Sequence, residues 1–421
     1  MTPPSDVFVA GIGGFAGAHH GALLALEEEG LVRVRGACDP APEAVLEPVY
    51  ARFRFRERGV RVFRDFEPML ERAAPGAWVS IVAPIPVHAA MHEACVERRL
   101  PCYLEKPPTL DPEELEAMIA TDRHAVVRTQ VGFNHIGDPD RQELKRQLLE
   151  GRFGKLRRVS FRGSWKRNFR YFTRGAWTGK LLLGDRPLMD SCLGNGMSHH
   201  AHNLLFFAGR EDLFTWAECV SLESEFYHAN AIEGPDSVFV RGRLEGGVEI
   251  RLAMTHACAG DDFSLETLEC EDADIRVWPS AIEVHWRDGR REDRPLSREF
   301  PLQGNLEAFT AYLRGEFPRP STLLEDCRAV VRLNALAFAA CREVHVIPKG
   351  WIDQLPGSAP EEEVRAIRGI DEALVRLVET GRFPSETGVP WGRPGGSATP
   401  EALSDLPARL ERLRSVTSLA P

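Results

Sequence analysis

Short apolar runs separated by longer amphipathic stretches fill the first third of the chain. "DVFVA" precedes "AHHGALLALEEEG", which has helical spacing and stops at Gly30, a natural helix end. "VRVRGACD" alternates as a strand does. After a further helix come the strand-like "VRVF", the helical "DFEPMLERAAPG" and the wholly apolar "AWVSIVAP". Helical "PVHAAMHEACVERR", strand-like "PCYLEKP", helical "DPEELEAMIATDR" and strand-like "VVRTQVGFN" continue the alternation. Sustained over about 130 residues, it predicts a doubly wound parallel sheet with crossover helices. After residue 150 the pattern lengthens into "KLRRVSFRGSW", "LFTWAECVSLES", "DSVFVRGRLEGGVEIRLAMTHA" and "LETLECEDADIRVWPSAIEVHWRDG". These predict an antiparallel sheet, with Gly246 and Gly247 as a two-residue hairpin turn. One helical segment, "NGMSHHAHNLLFFAG", interrupts it, and residues 305–345 return to helix. The rest is rich in Pro and Gly around the amphipathic stretch "EEEVRAIRGIDEALVRLVETG". The expected organisation is an α/β domain over residues 1–134, an α+β domain with a large open, mainly antiparallel sheet over 135–345, and an extension over 346–421.

Composition narrows the function without naming it. The 421 residues are 43% hydrophobic and 27% charged, as in an ordinary globular protein with a sizeable core. A formal net charge of −10 argues against nucleic acid as a partner. No apolar stretch reaches the roughly 18 residues that span a bilayer, so a membrane is not an expected partner. The start, "MTPPSDVFVAGIGG", has no positive region of the kind a signal peptide carries. Nine scattered cysteines form no C-x-x-C pair and suggest a reducing cytoplasm.

Three motifs carry chemistry. In "VAGIGGFAG", Gly11, Gly13 and Ala16 fit G-x-G-x-x-G/A, with a strand before and a helix after, as in a Rossmann nucleotide-binding domain. Glycines let backbone approach a pyrophosphate, whose charge the helix N-terminus meets. Asp39, closing the second strand, would accept hydrogen bonds from the adenosine ribose and repel a 2′-phosphate. NAD is therefore expected over NADP. In "SIVAPIPVHAAMHEA", Ala83 and Pro84 end a buried strand and His88 opens the next helix, at the sheet edge where ligands lie. His88 reads equally well as a ligand contact or as a polar residue at a tight turn. "EKPP" closes the following strand at the same edge. It aims Lys106 at the place of a nicotinamide, held by prolines that fix the backbone, with Glu105 as anchor for the ammonium or nearby backbone. Read alone, it is a surface lysine before a helix.

"GIGGFAG", "CDP", "VAPIPVH", "EKPP", "VGFNHIGDP" and the late helix "NLEAFTAYLRGEFPRPSTLLEDCRAVVRLNALAFA" together resemble one family. It is the glucose–fructose oxidoreductase, inositol dehydrogenase and MocA-like group of NAD(P)-dependent oxidoreductases, matched over roughly residues 6–345. The resemblance implies that Lys106 lies beside the nicotinamide and the substrate hydroxyl. It adds Gly14, Phe15, Pro40 and Asn134 to the cofactor contacts. It also implies a D-x-x-x-H signature in the second domain, which falls on Asn195 and His199, with His202 at a later polar position. Asparagine cannot act as a carboxylate, so the acid–base role passes to His199, with Asp190 nearby. A half-titrated imidazole near ~6.5 suits that task. The bland alternative is a histidine-rich helix packed on the sheet. A metal held by Asp190, His199 and His202 lacks a clear fourth ligand, and no metal is expected. Trp165, Tyr171 and Trp177 alternate with Lys166, Arg167 and Arg170. That mix suits a polyhydroxylated ring or a subunit interface equally, with Trp165 and Lys166 the substrate contacts expected.

The implied reaction is hydride transfer between NAD and a secondary alcohol of a sugar, inositol or sugar acid. The alternatives are an NAD-retaining glycoside hydrolase working by oxidation, elimination and reduction, and a dinucleotide-binding homologue without turnover. An open sheet over residues 155–290 would leave an apolar face, so a homodimer or homotetramer through that face is expected, with the C-terminal residues reaching over a neighbour.

Overall fold

The computed structural model describes residues 3–297 and 301–417, which group into two compact units. The first takes the chain up to Arg141 together with the stretch from Pro301 to Arg328. The second takes Gln142 to Ser297 and the chain from Ala329 onward.

The first unit holds a six-stranded parallel sheet in the order β3-β2-β1-β4-β5-β6. Its strands are β1 (Ser5–Ala10), β2 (Val32–Cys38), β3 (Arg61–Phe63), β4 (Trp78–Ile81), β5 (Cys102–Leu104) and β6 (Gln130–Val131). Strand order reverses between β1 and β4, which opens a crevice at their carboxyl ends. Val7 and Val9 of β1 pack with Leu23 and Leu26 of the following helix, Ala16–Glu28. Leu302, Leu306 and Phe309 join the same cluster from the helix Pro301–Leu313. That spacing gives one apolar stripe, which brings the late segment into the first unit.

The second unit is built on a ten-stranded mixed sheet. Its strands are β7 (Leu156–Ser164), β8 (Cys219–His228), β9 (Ser237–Leu244), β10 (Glu249–Thr255), β11 (Phe263–Cys270), β12 (Ala273–Val277), β13 (Ala281–Trp286), β14 (Arg291–Pro295), β15 (Val344–Val346) and β16 (Gly396–Ala398). The order is β14-β13-β12-β11-β7-β10-β9-β8-β15, with β16 also on β8. The pairs β7–β10 and β8–β15 are parallel and the others antiparallel, so "mainly antiparallel" holds with two exceptions. The Gly246–Gly247 turn has three residues rather than two: Leu244 N donates to Val248 O (2.8 Å), which leaves Glu245 in the loop with the two positive-φ glycines.

Both faces of β8 are covered from within the chain. On one face Phe226 meets Phe338 of the helix Arg328–Ala340 at 4.9 Å, and Ser224 Oγ donates to Ala337 O. On the other, Tyr227, Phe239 and Ala253 pack against Ile370, Ala373, Leu374 and Leu377 of the helix Ile370–Thr380, with Trp391. Each wholly buried apolar side chain stabilises by ~1.5–3 kcal/mol, so this seal is substantial. Arg251 Nη1 donates to Val378 O and Glu379 O (2.8 and 3.0 Å), and Arg241 Nη1 to Gly381 O (2.7 Å). Two sheet arginines thus meet the negative end of the helix dipole. The apolar face that suggested a subunit contact is therefore occupied by the extension of the same chain over these residues. All nine cysteines are buried thiols. No helix among the described residues is long and apolar enough to cross a membrane.

Candidate functional site

The glycine loop leaves β1 with Gly11 at φ 125°, where a side chain would be strained. A Cβ there would lie 2.9 Å from Val82 O and 3.2 Å from the Ala16 Cβ. Gly11 N donates to Cys38 O (2.9 Å), which holds the loop against the end of β2. Gly14 also has positive φ, at 59°. The helix Ala16–Glu28 then begins at the exposed Phe15 with no side-chain cap, and Gly17 N and Ala18 N donate to Gly14 O (3.2 Å) and Phe15 O (2.9 Å) in its first turn. Ala16 N bonds to Gly13 O (3.2 Å). Asp39 accepts from Ile12 N (3.4 Å) and Ala41 N (3.0 Å) across the exposed Pro40, so its carboxylate sits beside the loop. A positive-φ glycine loop at a helix N-terminus with an adjacent carboxylate fits a dinucleotide's pyrophosphate and ribose. His20 Nε2 donates to Gly11 O (3.1 Å), and burial pulls its pKa down to about 4.

At the end of β5, Glu105 is buried and fully engaged. Its Oε1 accepts from His19 Nε2 (2.9 Å) and its Oε2 from Lys106 N (3.0 Å). The other ring nitrogen, Nδ1, lies 3.1 Å from Ser80 Oγ. The helix of the glycine loop is therefore tied to the backbone of Lys106 through one histidine and one carboxylate. His88 does the same for the neighbouring loops: its ring nitrogens lie 2.8 Å from Ala83 O and 3.0 Å from Pro107 O. Burial lowers its pKa, and both nitrogens are turned to backbone. His88 lies between the proline loops that flank Pro84 and Lys106, its one N–H serving one of the two carbonyl oxygens. The Lys106–Pro107 peptide is cis. Asn134 Oδ1 accepts from Tyr103 Oη and Asn305 Nδ2 (2.9 Å each), so its oxygen serves the framework. Gly132 leaves room for Glu105, since a Cβ there would lie 2.9 Å from Oε1.

In the second unit the helix Ser198–Ala208 follows a wide π-type turn over Cys192–Gly196. Asn195 lies in that turn, and its Nδ2 donates to Asp190 Oδ1 (3.0 Å). Asp190 Oδ2 accepts from Gly179 N (2.6 Å). Gly196 runs close to His256 and Tyr171: a Cβ there would meet His256 Nε2 at 2.6 Å. Trp165 O accepts from His256 Nδ1 (3.0 Å), and Trp165 Nε1 donates to Ser264 Oγ (2.8 Å). Lys166 is fixed through its backbone, its N donating to Asp262 Oδ1 (2.8 Å). Arg174 lies over the rings of Tyr171 and Trp177 at 3.8 and 5.0 Å.

The three histidines of the helix have separate fates. His199 is half-buried. His200 stacks on Phe161 at 4.1 Å, and its Nδ1 lies 2.5 Å from Oε1 of the buried Glu266, whose other oxygen takes Asn203. His202 is fully buried with its ring 5.1 Å from Trp216, so it belongs to the packing of the helix. The helix end is held by the fully buried Lys145, whose Nζ donates to Phe206 O (2.6 Å) and Gly209 O, and whose pKa burial lowers to about 7. Among the described residues, the one group with metal-ligand spacing contains none of Asp190, His199 and His202. Sequence reasoning missed His19, Asn305, Glu266 and His256. Only His19 carried a signal, one helical turn past the glycine loop.

Residues 6–133 match a family described as an oxidoreductase family with the NAD-binding Rossmann fold. No curated protein matches the chain. Among solved structures, the WlbA dehydrogenase from Bordetella pertussis, in complex with NADH and UDP-GlcNAcA, is 19% identical with a TM-score of 0.64, over 79% of this chain and 93% of that one. An oxidoreductase from Agrobacterium radiobacter, in complex with NAD+, L-tartaric acid and magnesium, is 18% identical with a TM-score of 0.61, over 79% and 95%. A putative myo-inositol dehydrogenase from Sinorhizobium meliloti is 19% identical with a TM-score of 0.59, over 79% and 96%. At these identities they establish a shared fold. Over residues 6–133 the chain matches the Gfo/Idh/MocA oxidoreductase family, NAD-binding Rossmann fold, the group that its motifs resemble.

Proposed function

We propose that this protein is an NAD-dependent dehydrogenase that oxidises a secondary alcohol on a polyhydroxylated small molecule, a sugar, inositol or sugar acid. NAD, when bound, supplies the hydride acceptor. Gly11, Gly14 and the start of the helix Ala16–Glu28 hold its pyrophosphate, and Asp39 its adenosine ribose. Lys106 donates to the substrate hydroxyl and lowers the cost of its deprotonation. His199 takes the hydroxyl proton on its imidazole. Asn195 holds Asp190 and orients the turn that leads into His199. Trp165 and Lys166 offer a flat ring and a charged donor to the polyol.

The observation that carries this reading is the tether at Lys106. Glu105, buried and shared by His19 Nε2 and Lys106 N, links the lysine's backbone to the glycine-loop helix. A solvent-facing lysine in a loop needs no such anchoring. A panel of sugars, inositols and sugar acids, followed at the nicotinamide absorbance, tests the proposal, with aryl glycosides followed for released aglycone beside it. Substrate-dependent NADH formation on a polyol is the expected result. Aglycone release without net NADH would replace the proposal with the NAD-retaining hydrolase. No turnover of either kind by protein that binds NAD would leave a dinucleotide-binding homologue.

A further inference from the structure

In the first unit an ion pair adjoins Asp39. Asp39 N donates to Phe63 O (3.1 Å), which joins the carboxyl ends of β2 and β3. Arg64 follows that contact directly, and its Nη2 is ion-paired with Glu43 Oε1. Glu43 lies in the first turn of the helix Pro42–Phe53. That helix opens from the turn where Asp39 Oδ1 accepts from Ala41 N (3.0 Å). The pair therefore bridges the two segments to which Asp39 is itself bonded, one through its backbone and one through its carboxylate.

Stability does not account for this pair. Its side chains are 61% and 63% exposed, and an ion pair that open adds little to folding. What it does fix is the direction of a planar cation whose donors match a phosphate. In dinucleotide-binding folds an arginine near the ribose carboxylate is the group that accommodates a 2′-phosphate. Here that arginine is turned to a carboxylate of its own chain. Asp65, next in sequence and not bonded to the start of the helix Phe66–Leu70, puts a further acid at the same strand end. A 2′-phosphate arriving there meets acids and a cation that is already neutralised.

We infer that Glu43 is a cofactor-selecting residue that acts through Arg64. By holding the guanidinium it denies a 2′-phosphate its partner, and so strengthens the preference for NAD that the Asp39 carboxylate sets. The inference rests on the reading that Asp39 faces the adenosine ribose, and it is independent of which alcohol is oxidised. NAD carries a hydroxyl where NADP carries the phosphate, so Glu43 is a positioning residue that NADP alone feels. Without the Glu43 charge, Arg64 is a cation beside Asp39 and the pair of them is neutral toward the phosphate. Without both Glu43 and Arg64, the local net charge returns to that of the wild-type protein.

Isothermal titration of the full chain with NAD and NADP tests it, at low ionic strength and pH 8, where a phosphate monoester carries close to two charges. Glu43→Gln keeps the shape of the side chain and removes its charge. It should tighten NADP ~5-fold or more, the effect of one unit charge on a nearby phosphate in a high dielectric, and leave NAD within ~2-fold. Arg64→Ala should weaken NADP and spare NAD. The double variant Glu43→Gln/Arg64→Ala should return NADP to its wild-type affinity, and ~0.5 M salt should erase the gain of the single variant. Damage to the fold would weaken both cofactors alike, so the NADP-to-NAD ratio isolates the selecting role. The inference falls if that ratio is unchanged in Glu43→Gln, or if the double variant gains as much as the single one, since the charge then acts without Arg64. In either case a wild-type preference for NAD leaves the reading of Asp39 standing. Equal binding of the two cofactors by the wild-type protein would overturn both.

Discussion

The first unit and the second both carry clustered histidines, and they use them differently. In the first, His19, His20, His88 and His92 are each 0–1% exposed. His19 joins Ser80 to Glu105, His20 holds Gly11 O, His88 spans Ala83 O and Pro107 O, and His92 Nε2 meets Asp122 and Thr129 at 3.2 and 3.1 Å. These rings are struts. Where a shift is resolved, for His20 and His88, burial drives it toward the neutral form. In the second unit one helix offers a graded series: His202 sealed against Trp216, His200 buried on Phe161 and Glu266, and His199 half-buried. A base must exchange its proton with solvent or substrate, so only the last of these suits the proposed chemistry. The difference teaches that burial, more than residue type, separates a histidine that builds a site from one that works in it.

The largest expected effect would break that contrast outright. His199→Ala and Lys106→Ala should each lower kcat by at least ~10²-fold, the range of a lost general base or its polarising partner. KM should change less, because both act as charge develops at the reacting carbon. The double variant should lose less than the product of the two, since both serve one proton transfer. NAD affinity should survive in all three. If His199→Ala turns over normally while Asp190→Ala is dead, the base is the carboxylate that Asn195 holds, and the histidine comparison fails in the second unit.

A smaller effect sharpens the same contrast in the first unit. The His20 ring, ordinarily titrating at 6.5, is held at about 4 by burial. Between those values an unfolded chain binds a proton that the folded one refuses. The protons bound in the unfolded state then exceed those in the native state, so stability falls as pH drops from 6.5 through 4. The slope approaches ~1.4 kcal/mol per pH unit for this one group. His20→Gln keeps a donor for Gly11 O and removes the titration. Urea unfolding at pH 7, 5.5 and 4.5 should show the wild-type protein losing stability relative to the variant as pH falls. Parallel curves would show that the ring protonates normally and is no buried strut.

How far the sequence could be read follows from where each partner lies. Gly11, Asp39 and Lys106 follow β1, β2 and β5 at the carboxyl edge of one parallel sheet, so alternation and three short motifs place them on that edge without knowledge of any distant contact. The anchoring of Lys106 was half legible: Glu105 is adjacent, but His19 reaches it from 86 residues away. In the second unit the decisive partners are remote. Glu266 meets His200 across 66 residues, and nothing near "SHHAH" announces a carboxylate on a strand. Periodicity gave His199 and His202 one face and could not say that Trp216 would bury the second. The amphipathic helix Ile370–Thr380 was visible, yet its target was not. An apolar stripe is satisfied equally by a neighbouring subunit and by the chain's own sheet, and here Tyr227, Phe239 and Ala253 provide the sheet.

The smallest expected effect concerns Asp39, proposed above to hold the adenosine ribose through its charge. Its carboxylate accepts only two backbone N–H groups, one of them at a long 3.4 Å, so it retains acceptor capacity for the ribose hydroxyls. A 2′-phosphate placed there would face a like charge. The wild-type protein should therefore bind NAD more tightly than NADP, by ~10-fold or more at low salt, and the gap should shrink as salt screens it. Asp39→Ser keeps a short acceptor for Ala41 N and removes the charge. It should weaken NAD by no more than ~10-fold, the value of one charged hydrogen bond, and narrow the gap to NADP. Lys106 and His199 lie outside this contact, so kcat at saturating NAD should hold in Asp39→Ser. Fluorescence titration of both cofactors against both proteins decides it. Equal or tighter binding of NADP by the wild-type protein would mean that the Asp39 carboxylate turns away from the ribose, and that the first unit, like its histidines, uses this residue to hold the loop.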